Sequence, residues 1–174
     1  MNNTCNIKKN NDGLSLIELI IVVAIMTVLG AALFLSTSVA TDKHVTSCAN
    51  KIAMAMEQTR SLTLGKQTGY IRLWQDASGE VYAQEYINLS AYGDEVSVGH
   101  SGLTVKLLYT DGTELNLNTV ADVEIEFSRS TGSIYKYRIA GADSTKVLKG
   151  IEVNNGRKTV MIEIDRYTGR VNVL

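Results

Sequence analysis

Apolar and polar positions divide the chain into three regimes. Between Leu19 and Thr41 no charged residue occurs, and 18 of the 22 residues from Leu14 to Leu35 are apolar. That block is long enough to cross a bilayer, which takes roughly 20 helical residues. Farther on, Val45, Cys48, Ile52, Ala55, Thr59 and Leu62 recur every three or four positions. This is the stripe of an amphipathic helix. Asp42, Lys43, Lys51, Glu57 and Arg60 mostly fill the other side. With no proline anywhere, a single helix is predicted from Leu14 to Leu64, roughly 75 Å long at 1.5 Å per residue, ending near Gly65. Met54 and Met56 read as core or gap-filling residues.

From Thr68 the period changes to two. Strands are predicted at residues 69–74, 80–87, 103–110, 113–118, 122–128, 133–139, 158–165 and 170–174. Asp111-Gly112 predicts a two-residue hairpin, and Ser130-Thr131-Gly132 and Tyr167-Thr168-Gly169 predict two further reversals. The expected fold class is α+β: a long N-terminal helix packed on an antiparallel sheet, since an alternating sheet must bury its apolar side on something.

Composition narrows the function classes. Seventeen basic against 18 acidic residues leave no global attraction for nucleic acid or anionic lipid. Arg157, Lys158, Arg166 and Arg170 gather near the C-terminus, but Glu163 and Asp165 are interleaved. Cys5 and Cys48 are far apart and do not suggest a disulfide framework; Cys48 reads as a small buried hydrophobe. No phosphate loop, nucleophile elbow, HExxH or paired CxxC occurs, and His44 and His100 have no matching acid spacing. No catalytic residue, cofactor or metal ligand is therefore expected. Glu124 with Glu126, and Glu163 with Asp165, read as solvated strand faces, and Asp94-Glu95 falls short of the six to eight oxygens of a calcium site.

The N-terminal block admits three readings. Lys8 and Lys9 precede it, so the positive-inside rule leaves the N-terminus in the cytoplasm and the chain beyond about residue 41 outside. A secretory signal peptide would be cut after Ser38-Val39-Ala40, but an uncharged run of 17 residues from Leu19 to Leu35 exceeds the roughly 7–15 of such a core. A plain signal anchor leaves Glu18 as an acid inside an apolar segment, at a cost of up to about 2.5–3.5 kcal/mol at mid-membrane.

The third reading accounts for the acid. Gly13-Leu14-Ser15-Leu16-Ile17-Glu18, followed by Leu19-Ile20-Ile21-Val22-Val23-Ala24-Ile25, resembles the prepilin signal of type IV pilins and type II secretion pseudopilins. The resemblance implies cleavage between Gly13 and Leu14 by prepilin peptidase and methylation of the new amino-terminus on Leu14. It also implies pairing of Glu18 with a neighbouring subunit's amino-terminus during assembly. The organisation then expected is a leader at 1–13, a helix at 14–64 that is transmembrane over about 14–38, and an extracytoplasmic β-rich, pilin-like domain at 65–174.

More weakly, Val123-Glu124-Ile125-Glu126-Phe127 with Gly132, and Val160-Met161-Ile162-Glu163-Ile164 with Thr168-Gly169-Arg170-Val171, look like the strands and closing hairpin of GspH/FimT-type minor pseudopilins. The family's usual proline, about 22 residues into the mature helix, is missing here, which fits a minor component better than a major subunit. The implied protein is a structural subunit, not an enzyme, of a pilus or pseudopilus, moving from the cytoplasmic membrane into the filament. Its implied partners are prepilin peptidase, other pilin or pseudopilin subunits, the inner-membrane assembly platform, membrane lipid, and an exported substrate or surface ligand. Two other readings stay open at this point: a minor pilin that binds DNA, against which a slightly acidic mature chain argues, and a signal-anchored or secreted β domain with binding or enzymatic activity.

Overall fold

The structure is a computed structural model that describes residues 15–64 and 67–174, apart from the side chains of residues 32–41. It divides into two units, Met1–Val39 and Ala40–Leu174. Helix α1 covers Leu16–Thr63 and contributes to both. Its last turn closes with the Leu64 N–H on the Arg60 carbonyl (3.1 Å). Gly65, the expected stop, lies outside the described residues.

Within the second unit, α1 buries Val45, Cys48, Ala49, Ile52, Ala53, Met56, Thr59 and Thr63. Of the expected stripe, Val45, Cys48, Ile52 and Thr59 are buried, Ala55 and Leu62 are only half-buried, and Ala49, Ala53, Met56 and Thr63 join the buried face. The two buried threonines satisfy their hydroxyls on carbonyls one turn back, Thr59 on Ala55 (2.8 Å) and Thr63 on Thr59 (2.7 Å). Met56 is fully buried, whereas Met54 is 70% exposed and belongs to the surface. Two positions separate them, which turns one methionine away from the core that holds the other.

Among the described residues eleven strands form two antiparallel sheets, where the strand pattern had suggested one. The first has the order β3-β2-β1-β6-β7-β8, with β1 Gly69–Gln75, β2 Val81–Ile87, β3 Ser90–Gly99, β6 Val123–Phe127, β7 Ile134–Ile139 and β8 Ala142–Asp143. The second has the order β11-β10-β9-β4-β5, with β4 Thr104–Tyr109, β5 Glu114–Asn116, β9 Leu148–Asn154, β10 Thr159–Ile164 and β11 Val171–Val173. Their inward residues, among them Ile71, Leu73, Ile125 and Phe127 from one sheet and Val105, Leu107, Ile151 and Ile162 from the other, share a single core with the helix face. Inside that core the hydroxyls of Tyr109 on β4 and Tyr137 on β7 meet at 2.8 Å, a polar link between the two sheets. Burial, and then the bond to Tyr109, pushes the Tyr137 phenol far above its ordinary range.

Strands β3, β8 and β9 had no counterpart among the predicted elements. Strand β3 is reached through a two-residue turn at Asn88 (φ 52°) and Leu89 (φ 68°), with Ile87 paired to Ser90. That conformation normally selects Asn-Gly, so Asn-Leu gave no hairpin signal. Strand β9 is central to its sheet yet carries Gly150, a residue that weakens strand propensity. A Cβ there would lie 2.5 Å from the Ile162 carbonyl of β10, so close backbone packing demands the glycine. Strand β8 has only two residues, too few for any period.

The Asp111-Gly112 reversal exists, but as a three-residue loop. Tyr109 N–H bonds to Thr113 O (3.0 Å) around Thr110-Asp111-Gly112, with Gly112 at φ 81°. The Asp111 carboxylate accepts the Thr113 N–H (2.9 Å) and so favours the longer turn. The other two reversals are present, the Gly132 N–H bonding to Ser128 O (2.8 Å) and the Gly169 N–H to Asp165 O (2.7 Å). These two turns pack against one another and against Arg60, whose Nε donates to Thr168 O (2.6 Å). The C-terminal end of α1 is thereby tied to both sheets.

Leu89 is 80% exposed and gains little burial from its strained position. Leu89→Gly should therefore raise the unfolding free energy by roughly 0.5–1 kcal/mol, read from chemical denaturation followed by the fluorescence of Trp74, the sole tryptophan. Tyr137→Phe should lower it by about 1–2 kcal/mol, because the Tyr109 hydroxyl loses its buried partner. Adding Tyr109→Phe should restore part of that loss, and a double variant worse than the sum of the singles would show that the hydroxyl pair is not the cause.

Candidate processing and assembly segment

Helix α1 begins with a local device written in its first four residues. Ser15 precedes the helix and Glu18 stands three positions on, the spacing of a capping box. The Ser15 N–H donates to Glu18 Oε2 (3.0 Å), and the Leu19 N–H donates to the Ser15 carbonyl (3.2 Å). The carboxylate thus satisfies an amide that helix geometry leaves without an intrahelical partner. It also places negative charge in the first turn, where the helix dipole favours it. This role for Glu18 was not anticipated from the sequence, although Ser-x-x-Glu ahead of an apolar run is its signature.

Beyond the cap the helix is apolar on every side. Leu16, Ile17, Leu19, Ile20, Ile21, Val22, Val23, Ile25, Met26, Val28 and Leu29 are all at least 45% exposed. Residues 16–29 pass almost four times around a helix axis, so no polar stripe faces water. Such a helix requires an apolar surrounding, lipid or other helices. Gly30 has nothing within 4 Å of the place its Cβ would take. Among the described residues no helix is long and apolar enough to cross a membrane. The fully described apolar stretch, residues 15–31, is shorter than the roughly 20 residues a span needs, and part of the expected span over 14–38 lies outside the described residues.

Gly13 and Leu14, the expected cleavage pair, lie outside the described residues, as do Lys8, Lys9 and the side chains of Ser38-Val39-Ala40. Glu18 alone of the expected site residues can be placed.

The remaining sequence candidates resolve into supporting structure. Arg138 on β7 donates from Nη1 to Glu124 (2.6 Å) and from Nη2 to Glu126 (2.9 Å) on β6, so both carboxylates are paired. Asp165 accepts the Tyr167 N–H (2.8 Å) and Thr168 N–H (3.3 Å), and these backbone donors hold its carboxyl below the usual range. Asp94 and Glu95 are exposed on β3. Of the basic group near the C-terminus, Lys158 is engaged by Thr46 Oγ1 (2.9 Å).

Cys48 is fully buried, and burial pushes its thiol up to about 12, with Lys51 opposing. It stays protonated and unreactive near neutrality. A groove of about 340 Å³ between α1 and the β2–β3 hairpin is lined by Met54, Tyr92 and Val96 with Glu85 at its side. Burial raises the Glu85 carboxyl, and no serine, threonine, cysteine or histidine is among the residues that line that groove.

Residues 8–34 match the family model described as the prokaryotic N-terminal methylation motif. The chain carries the prepilin methylation signal, and with it the motif of type IV pilin-like and pseudopilin subunits. The match brackets Gly13, Leu14 and Glu18 and ends within the apolar run. By itself the motif implies processing by prepilin peptidase and assembly with other pilin subunits. Comparison with curated proteins and with solved structures gave no match.

Proposed function

We propose that this chain is a minor pilin or pseudopilin of GspH/FimT type. In this reading it is cut between Gly13 and Leu14, methylated on Leu14, and held in the cytoplasmic membrane by a single span over about residues 14–38, with its N-terminus in the cytoplasm. It is then drawn into a short filament that serves secretion, adhesion, motility or DNA uptake. The observation that carries the reading is the methylation motif over residues 8–34, within which the helix exposes apolar side chains on all sides from Leu16 to Leu29.

Assembly follows from the same physics. Apolar helices without a polar stripe bury one another once they leave lipid, and the β domain is left facing outward. Cleavage would create a cationic amine at Leu14, four residues before the Glu18 carboxylate. An acid at the entrance of an apolar segment is costly alone and becomes favourable when a neighbouring subunit's amine meets it. The Ser15–Glu18 bond supports this reading in one further respect: it holds the carboxylate in the first turn of the helix.

Gly13→Val should leave an unprocessed precursor about 13 residues longer than the mature chain, visible by gel mobility and N-terminal mass spectrometry; normal processing of this variant would remove the prepilin reading. For the acid, Glu18→Ala should be processed yet fail to enter filaments, as scored by immunoblotting of sheared or cross-linked filament fractions. Glu18→Gln separates the two duties of the side chain, because it keeps an oxygen for the Ser15 N–H and loses the charge. If charge pairing drives assembly, the glutamine variant should fail like the alanine one. Recovery of wild-type incorporation by glutamine would instead assign Glu18 to helix capping alone.

A further inference from the structure

The chain has two histidines, and folding brings them together although nothing in their spacing announces it. His44 lies on α1 and His100 follows the last residue of β3. Their ring centroids are 5.2 Å apart with the ring planes at 88°. The approach has a backbone cause. A Cβ on Gly99 would lie 2.7 Å from Cys48 Sγ, so the end of β3 touches the helix where only glycine fits. Cys48 is one helical turn beyond His44, and the residue after Gly99 therefore reaches the turn that carries His44. Lys51 Nζ donates to the Ser97 carbonyl (3.1 Å) and fastens the same contact.

A carboxylate completes the cluster. Glu80 Oε1 lies 3.8 Å from His100 Nδ1. Ser97 Oγ donates to Glu80 Oε1 (2.6 Å) and the Tyr82 hydroxyl to Oε2 (3.0 Å), and these bonds fix the carboxylate beside His100. An anion beside Nδ1 favours the proton on that nitrogen and leaves the Nε2 lone pair free. Metal-binding histidines are oriented in this way by their outer partners.

The ring separation is also that of a chelating pair. With a metal–nitrogen bond of about 2.1 Å and about 1.1 Å more to the ring centre, two imidazoles at the tetrahedral angle have centroids about 5 Å apart. We propose that His44 and His100 form an open binding site for one divalent transition ion of the Zn²⁺ or Cu²⁺ class, with Glu80 as the positioning residue for His100. Imidazole suits these ions, and the site lacks the many oxygens that Ca²⁺ or Mg²⁺ requires. Among the described residues no group of three or more His, Cys, Asp or Glu could hold a metal ion. The site is therefore open, with water in the remaining positions, and His100 is 65% exposed to it. A bound ion would clamp α1 to the loop between β3 and β4.

The test uses the full, untagged chain in detergent at pH 7.5, with Zn²⁺ alone or Cu²⁺ alone as the probe. Competition with a chromophoric chelator should give one ion per chain. His44→Gln and His100→Asn should each weaken binding at least about tenfold, and Glu80→Gln about tenfold, the usual scale for an outer partner. The Cu²⁺ electron paramagnetic resonance spectrum should show coupling to two imidazole nitrogens, falling to one in either single variant. As a readout that requires a folded chain, Zn²⁺ should raise the melting midpoint of the wild type and leave that of the double histidine variant unchanged. Wild-type affinity in either single variant, or half an ion per chain, which would mean a site shared between two copies, would overturn the proposal.

Discussion

One helix face holds the β domain together. Val45, Cys48, Ile52 and Met56 are fully buried against the inward residues of two sheets that otherwise have only each other to cover them. Each such side chain contributes roughly 1.5–3 kcal/mol by leaving water, and together they seat both sheets on a single core. Fit at this face is strict where backbone meets helix. Gly99 meets Cys48, Gly69 packs under Thr63, and Gly132 and Gly169 meet beside Arg60. Polar bonds then fasten the edges: Glu57 Oε1 accepts the Val171 N–H (3.0 Å), and Lys158 reaches Thr46 (2.9 Å).

The same helix obeys opposite rules in its two parts. From Val45 onward it is one-sided, as a helix packed on a water-soluble domain must be. From Leu16 to Leu29 it exposes apolar side chains in every direction, and its one charge in that stretch is Glu18 in the Ser15–Glu18 cap. A chain that keeps such a surface has an environment or partners for it, which is the physical content of the methylation motif over residues 8–34. Some charges of the β domain are paired across strands: Arg138 bridges Glu124 and Glu126, and Arg72 binds Asp122, so these groups stabilise strand pairing.

Sequence legibility followed the range of the interaction involved. The helix was readable because its stripe repeats within a single turn, and β1, β2, β4, β6, β7 and β10 because alternation is local. Strand β3 escaped because Asn88-Leu89 adopts a turn that glycine usually signals, and β9 because Gly150 is dictated by the carbonyl of Ile162 on another strand. The separation into two sheets was not legible, since hydrogen-bond partners are chosen across the chain. Nor was the meeting of His44 with His100, which depends on the missing side chain of Gly99.

By itself, then, the sequence determined what local chemistry can carry: the acid at the head of an apolar helix, the change from an all-round apolar to a one-sided pattern, the α+β class, and the motif recognised over residues 8–34. Tertiary structure alone decided which strands pair, which methionine is core, how Ser15 and Glu18 bond at the helix start, where Glu85 loses water, and which distant side chains become neighbours. The division has a physical reason. Periodicity and capping act over three or four residues, whereas sheet order and side-chain clustering depend on close packing between segments that the chain separates by dozens of positions.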